Sequence, residues 1–425
     1  MTGPAREGVG RDGPKGVWLG VGVALSTATQ LRPGIPLGPG EALLAGWLAV
    51  SLASAAWTNR LVLSPAARAF GGFWAASFVL LLSGLLVGAF TGLAAKDPYH
   101  DLQAYCLAAA VITVALAKPG GVLEVRRAIP VAMLVSTVGL SLIFVATFPA
   151  GTLGPLKAFT GYRFMGWSAN PNQLALAMCT LPFLALHGLE GAGRRARLVY
   201  WVVLPLSMLV GLATFSDSVV VAWAGSAMFL AVWGWLRGLA RGRFGYARGA
   251  ALYVVVPAVL LGVGALTAGA AYRALEEGAA GIYAESGQGD LRLMLWRHGL
   301  LALGASPLVG LGPGSHSGYT GPFQDFEAHN TYIDWASSTG LAGLVVFALL
   351  LVWTARRTGG DARLLAALLA LLVVSVFGFY MRHPTFWFYL AAIALANPRS
   401  EPAGAPSAGA APAPVRPQPI PAGAT

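Results

Sequence analysis

The sequence predicts an all-α polytopic membrane protein of about twelve transmembrane helices, and three observations carry that prediction. Of its 425 residues, 56% are apolar and only 11% charged, where a soluble domain carries about 25% charged residues. Mean hydropathy is +0.66, and the apolar residues fall in separate blocks, most long enough to cross a hydrocarbon core that needs roughly 20 residues of helix. The basic residues alternate between loops as a membrane topology requires.

Taken in order, the blocks are 16–31, 42–57, 69–92, 101–117, 128–149, 171–189, 198–215, 218–236, 249–269, 329–353, 363–381 and 385–397. The first follows Arg6, Arg11 and Lys15 as a secretory leader would, but no small-x-small cleavage site precedes Arg32, so it reads as a retained helix. The last is short enough to be tilted, re-entrant or continuous with its neighbours. With the N-terminus in the cytoplasm, twenty of the 28 Lys and Arg lie inside; Arg32, Lys96, Lys157, Arg163, Arg273, Arg292, Arg297 and Arg382 lie outside. One miscounted helix would scramble that bias, so both termini are expected to be cytoplasmic. The spans form one transmembrane domain over 1–400. A tail over 401–425, rich in Pro, Ala and Gly, buries too little to order itself.

Composition excludes several function classes. The net charge of +11 is spread over short loops, with no basic face for nucleic acid. Cys106 and Cys179 both lie within apolar blocks, which leaves no disulfide framework and no cysteine metal site. His100, His187, His298, His316 and His383 lack metal-ligand spacing, so no metal is expected. The turn GLGPGS at 310–315 lacks the preceding strand of a dinucleotide site, and no cofactor is expected.

The outer basic residues run against the topology rule and need a separate reason. The outer segment 270–328 is long for a connection without structure, and such loops are often functional. Within it, 291–303 (LRLMLWRHGLLAL) suits a helix lying at the membrane surface. His329 closes the segment where the tenth helix begins, and His329, Ile333, Ala336, Gly340 and Gly343 fall on one helical stripe. Small residues on that stripe admit a neighbouring helix, which leaves His329 at the outer mouth, where an imidazole can accept a proton near neutral pH.

Arg163 stands before a helix opened by Pro171 and Asn172, with Asn170 as its cap, and Arg292 belongs to the surface segment. Guanidinium groups make forked bonds to phosphate oxygens, so with His329 these two describe a base beside a phosphate clamp. Arg297 and Arg382 are further candidates of that type. Asp217, at the outer junction of helices seven and eight, is expected to pair with an outer arginine. Asp334, one turn below His329, is placed to orient something nearby.

His329 and Asn330, followed after nine residues by Gly340 and then Gly343, resemble the motif of the O-antigen ligase and polymerase superfamily of bacterial envelope glycosyltransferases. Arg163 before Asn170, Pro171 and Asn172, the pair Arg292 and Trp296, and SPLVGLGPGS at 306–315 are similar to the family's pattern. These matches cover the second half of the chain and the loop before helix six. The resemblance implies a metal-independent, inverting transferase with a GT-C-like bundle, working at the periplasmic face of the bacterial inner membrane. It implies a glycan donor on undecaprenyl diphosphate and a sugar of lipid A-core as acceptor. It also makes His329 the acceptor base and sets Arg163 and Arg292 on the diphosphate, with Asn330, Asn172, Arg297, Arg382 and Asp217 as supporting residues. Many relatives have Ser-Arg where this chain has Ser216 and Asp217, which removes one family arginine. A polymerase that lengthens the lipid-linked glycan would share donor and base. A transporter of lipid-linked sugars ranks lower, because charges at mid-membrane depth are almost absent.

Overall fold

The computed structural model describes residues 13–32, 38–59, 61, 63–148, 150–191, 193–240, 288–314 and 326–397. Among the described residues the helices are α1 (Gly13–Leu25), α2 (Pro39–Thr58), α3 (Pro65–Thr91), α4 (Pro98–Ala117), α5 (Gly121–Thr147) and α6 (Pro171–Gly191). They continue with α7 (Arg194–Ala213), α8 (Asp217–Ala240), α9 (Gln288–Ala305), α10 (Thr331–Arg357), α11 (Ala362–Val374) and α12 (Pro384–Leu395). Eight are long and apolar enough to cross a membrane, and α1, α11 and α12 are shorter apolar helices. The chain is therefore an all-α polytopic membrane protein. The predicted span 249–269 and the tail 401–425 lie outside the described residues.

Local chemistry sets the helix ends. Pro39, Pro65, Pro98, Pro171 and Pro384 each open a helix, because a missing N–H costs nothing there and the ring presets φ. Ser64 accepts from the Ala67 N–H at 3.0 Å to cap α3, and Asp361 accepts from the Arg363 N–H at 2.9 Å to cap α11.

All of α12 is buried. A helix apolar all round belongs inside a bundle, and α12 packs against α1, α4, α5, α6, α10 and α11. Its Trp387 meets Phe73 and Trp74 at ring distances of 5.0 and 4.5 Å. At 1.5 Å per residue α11 and α12 each reach only about 20 Å, short of a hydrocarbon core of about 30 Å. The turn 375–383 joins them. It carries Tyr380, Arg382 and His383.

The tenth helix departs from the sequence expectation in two ways. His329 is not on it: the residue has φ +52, and α10 starts at Thr331 because the Asn330 side chain accepts from the N–H groups of Tyr332 (3.0 Å) and Ile333 (3.3 Å). The expected stripe also breaks at Gly340, whose φ is 70° and ψ −173°. Residues 307–312 fill the break. Leu311 and Gly312 donate to the carbonyls of Ser337 (2.8 Å) and Ser338 (3.1 Å), while Leu341 and Ala342 donate to Pro307 (2.8 Å) and Leu308 (3.2 Å). Irregular backbone at membrane depth persists only where protein satisfies its polar groups, and this lacing does so. The two glycine motifs, far apart in sequence, are one structural unit.

Two further segments are more ordered than a loop reading suggests. Helix α9 is longer than the 291–303 expected, and it packs on α10. Before α6, β1 (Thr152–Leu153) pairs antiparallel with β2 (Leu156–Lys157), and β3 (Phe159–Thr160) with β4 (Arg163–Phe164). Phe164 is buried against Phe144 and Phe159, which anchors the second hairpin. Gln30, from the α1–α2 connection, ties this region down by donating to the carbonyls of Lys157 (2.7 Å) and Ser168 (2.6 Å). At the opposite end of the bundle, the buried Lys118 pairs with Glu124 and lies 4.5 Å from the Trp47 ring centre.

Candidate active site

A strained backbone presents His329. A non-glycine residue in the left-handed region costs about 1–2 kcal/mol, and Asp334 offsets that cost. Its fully buried carboxylate accepts from the N–H groups of Ala328 at 2.8 Å and Asn330 at 3.2 Å, in the first turn of α10, where the helix dipole favours negative charge. The short segment carrying His329 is thus clamped on both sides. Its side chain remains 47% exposed, with Nδ1 3.6 Å from a carboxylate oxygen of Glu327.

Glu327 was not singled out from the sequence. Its other oxygen is held by Arg382, which also donates to Asp101 at 3.2 Å. Burial works against the Arg382 cation, but Glu327 and Asp101 outweigh it and push its pKa up. A line of charges therefore runs from Asp101 on α4, through Arg382 and Glu327, to His329. Arg382, a further candidate for the phosphate clamp from the sequence, is held in the structure by two carboxylates. A carboxylate two residues before a candidate base is the signal that could have found Glu327. Beside Arg382, His383 is pushed down to about 3, first by burial and then by the neighbouring guanidinium, so its imidazole is neutral.

Arg163 sits on β4 opposite Thr160. Its Nε donates to the Thr214 carbonyl at 3.2 Å and its Nη2 to Oδ1 of Asn172 at 3.0 Å. Ser216 donates to the same Asn172 oxygen at 3.1 Å, and Asn170 caps α6 by accepting from the Asn172 N–H at 2.9 Å. The structure thus brings Arg163 and Asn172 together and aims the guanidinium from two of its five N–H donors, leaving the others for an anion. Tyr380 links this cluster to α10. Its hydroxyl donates to the Asn172 carbonyl at 3.0 Å, and its N–H to the Thr331 hydroxyl at 3.1 Å.

Arg292 is exposed on α9, close enough for its charge to act on the Tyr380 phenol, which Glu327 also influences. Arg297 is exposed on the same helix. Asn330 serves as the cap of α10. Asp217 is the exposed first residue of α8 and makes no ion pair among the described residues, so the expected arginine partner is absent there. The helix N-terminus supplies the favourable positive field instead. Among the described residues no group of three or more His, Cys, Asp or Glu is placed to hold a metal ion.

The apolar helices define a multi-pass membrane protein, and a histidine, carboxylates and guanidinium groups gather at one end of its bundle. Residues 200–348, about a third of the chain, are similar to the family model described as O-antigen ligase (Wzy_C). The match takes in Arg292, His329, Gly340 and Gly343, while Arg163, Asn172 and Arg382 lie outside it. No curated protein matches the chain.

Proposed function

We propose that the protein is an O-antigen ligase of the bacterial inner membrane, transferring a glycan from undecaprenyl diphosphate to a sugar hydroxyl of lipid A-core at the periplasmic face. Both termini are then cytoplasmic, as the distribution of basic residues requires. The observation that carries this reading is the exposed imidazole of His329, set on a clamped left-handed backbone with Nδ1 turned to Glu327. A proton held on Nδ1 leaves Nε2 free as a base.

In the transfer, Nε2 of His329 takes the proton of the acceptor hydroxyl as its oxygen bonds to the anomeric carbon. The bond from that carbon to the diphosphate breaks on the opposite face, inverting the centre, and undecaprenyl diphosphate leaves with the electron pair. Arg163 and Arg292 stabilise the charge that grows on the leaving group, which fixed cations do without reorganising. Asn172 and the Thr214 carbonyl aim Arg163.

The deciding experiment supplies reconstituted protein with lipid-linked glycan and lipid A-core. Glycan on the core is expected, whereas longer lipid-linked chains identify a polymerase. His329→Ala should abolish transfer while the protein still inserts and accumulates, and transfer at the normal rate would remove the base. Arg163→Ala and Arg292→Ala should weaken donor binding more than the Lys variants do, and equal activity in all four would remove the diphosphate clamp.

A further inference from the structure

Two cavities at the site end share Arg382 and His100. The smaller, about 270 Å³, is also lined by Glu327, so it opens beside the carboxylate that faces His329. The larger, about 400 Å³, lies among the α1–α2 connection, α2, α4, α6 and the start of α12. That volume falls within the range of small-molecule sites, roughly 300–1,000 Å³. The mechanism above assigns it no role.

Its chemistry selects against a phosphate. The Arg32 guanidinium is paired with Glu41 at 2.7 Å, and Arg382 is held by Asp101 and Glu327, so neither cation is left to neutralise an anion. Neutral hydrogen-bonding capacity remains. Gln173 uses its carbonyl oxygen to accept from the Thr29 hydroxyl at 2.7 Å, which leaves its amide N–H groups for another acceptor. The neutral imidazole of His383 offers one donor and one acceptor, and Gln103 adds a second amide. Leu107 and Ala104 supply an apolar wall. Donors and acceptors without net charge beside an apolar surface suit a polyhydroxylated ring with a hydroxylated edge and a C–H face.

We propose that this cavity binds a neutral pyranose unit of a glycan substrate, next to the sugar that reacts at His329. The assignment rests on the glycan-transfer reading for its biological meaning, but the binding it predicts is measurable without turnover. The pyranose belongs either to the acceptor core or to the transferred glycan, and the experiment separates these sources.

The test titrates the full-length protein in detergent with two probes, the core oligosaccharide freed of lipid A and the O-glycan freed of its lipid diphosphate, and follows binding by saturation-transfer NMR. One probe should bind. Leu107→Trp, which fills the cavity, and Gln103→Ala should each weaken it about tenfold, or about 1.4 kcal/mol, with thermal stability unchanged. In a His329→Ala background the binding should remain sensitive to both cavity variants. In the transfer assay Leu107→Trp should raise KM for the same substrate and leave kcat unaltered. Binding of neither probe, or binding indifferent to both cavity variants, overturns the subsite even if transfer occurs. Cavity-dependent binding in a protein that transfers nothing keeps the subsite and rejects the transferase reading.

Discussion

We propose that the Glu327 carboxylate, 3.6 Å from Nδ1 of His329 and so beyond direct hydrogen-bond distance, favours the proton on that nitrogen through its charge. In water a neutral imidazole exchanges between tautomers, and general base catalysis requires one of them. A positioned base contributes about 10²–10⁴-fold, so loss of its orientation should forfeit part of that. Glu327→Ala is expected to lower kcat about ten- to a hundredfold with little change in KM, and Glu327→Gln, which keeps an acceptor oxygen, to lose less. Nitrogen NMR of labelled histidine, assigned with His329→Ala, should show the Nδ1–H tautomer in the wild type and a mixture in Glu327→Ala. Identical tautomer populations in both would remove the positioning role.

The element that matters most is the broken α10 with the turn at 307–312. A side chain on Gly340 would collide with the Leu308 carbonyl and would have to adopt φ +70. The left-handed backbone alone costs about 1–2 kcal/mol, and overpacking typically adds about 1–3 kcal/mol. Gly340→Ala is therefore expected to lower the melting temperature and the amount of inserted protein. Gly225→Ala on α8, where a Cβ meets nothing within 4 Å, should be neutral. Equal melting temperatures for the two variants would show that the break is not needed. The lacing also carries function, since it fixes one half of α10 and with it Asp334, the clamp on the His329 segment.

For the whole molecule, a neutral histidine next to a cation makes stability depend on pH. His383 stays unprotonated in the folded protein down to about 3, whereas its ordinary value is 6.5. Between those values the unfolded chain binds a proton that the folded chain does not, so stability is full above pH 6.5 and falls on acidification. This group contributes about 1.4 kcal/mol per pH unit over that window. Melting of the detergent-solubilised protein from pH 7 to pH 4 should show the decline, and His383→Gln should flatten it. An unchanged slope in His383→Gln would assign the acid sensitivity to other groups.

Helix positions were readable along the chain because a membrane helix must satisfy its own backbone and be apolar over its length, and both demands are written in consecutive residues. Proline and asparagine at helix starts, and the nearness of Arg163 to Asn172, are local in the same sense. His329 stood out through its place at a boundary, although its expected position on the helix gave way to the Asn330 cap. What the linear pattern does not hold is which loop meets which. The grip of Glu327 and Asp101 on Arg382, the seat of 307–312 in the Gly340 break, and the cavity above the short α11 and α12 all join residues far apart in sequence. Hydrophobic patterning by itself thus determined a multi-pass helical bundle. The tertiary structure decided the site, because charges and hydrogen bonds act over a few ångströms and only packing brings those groups within reach.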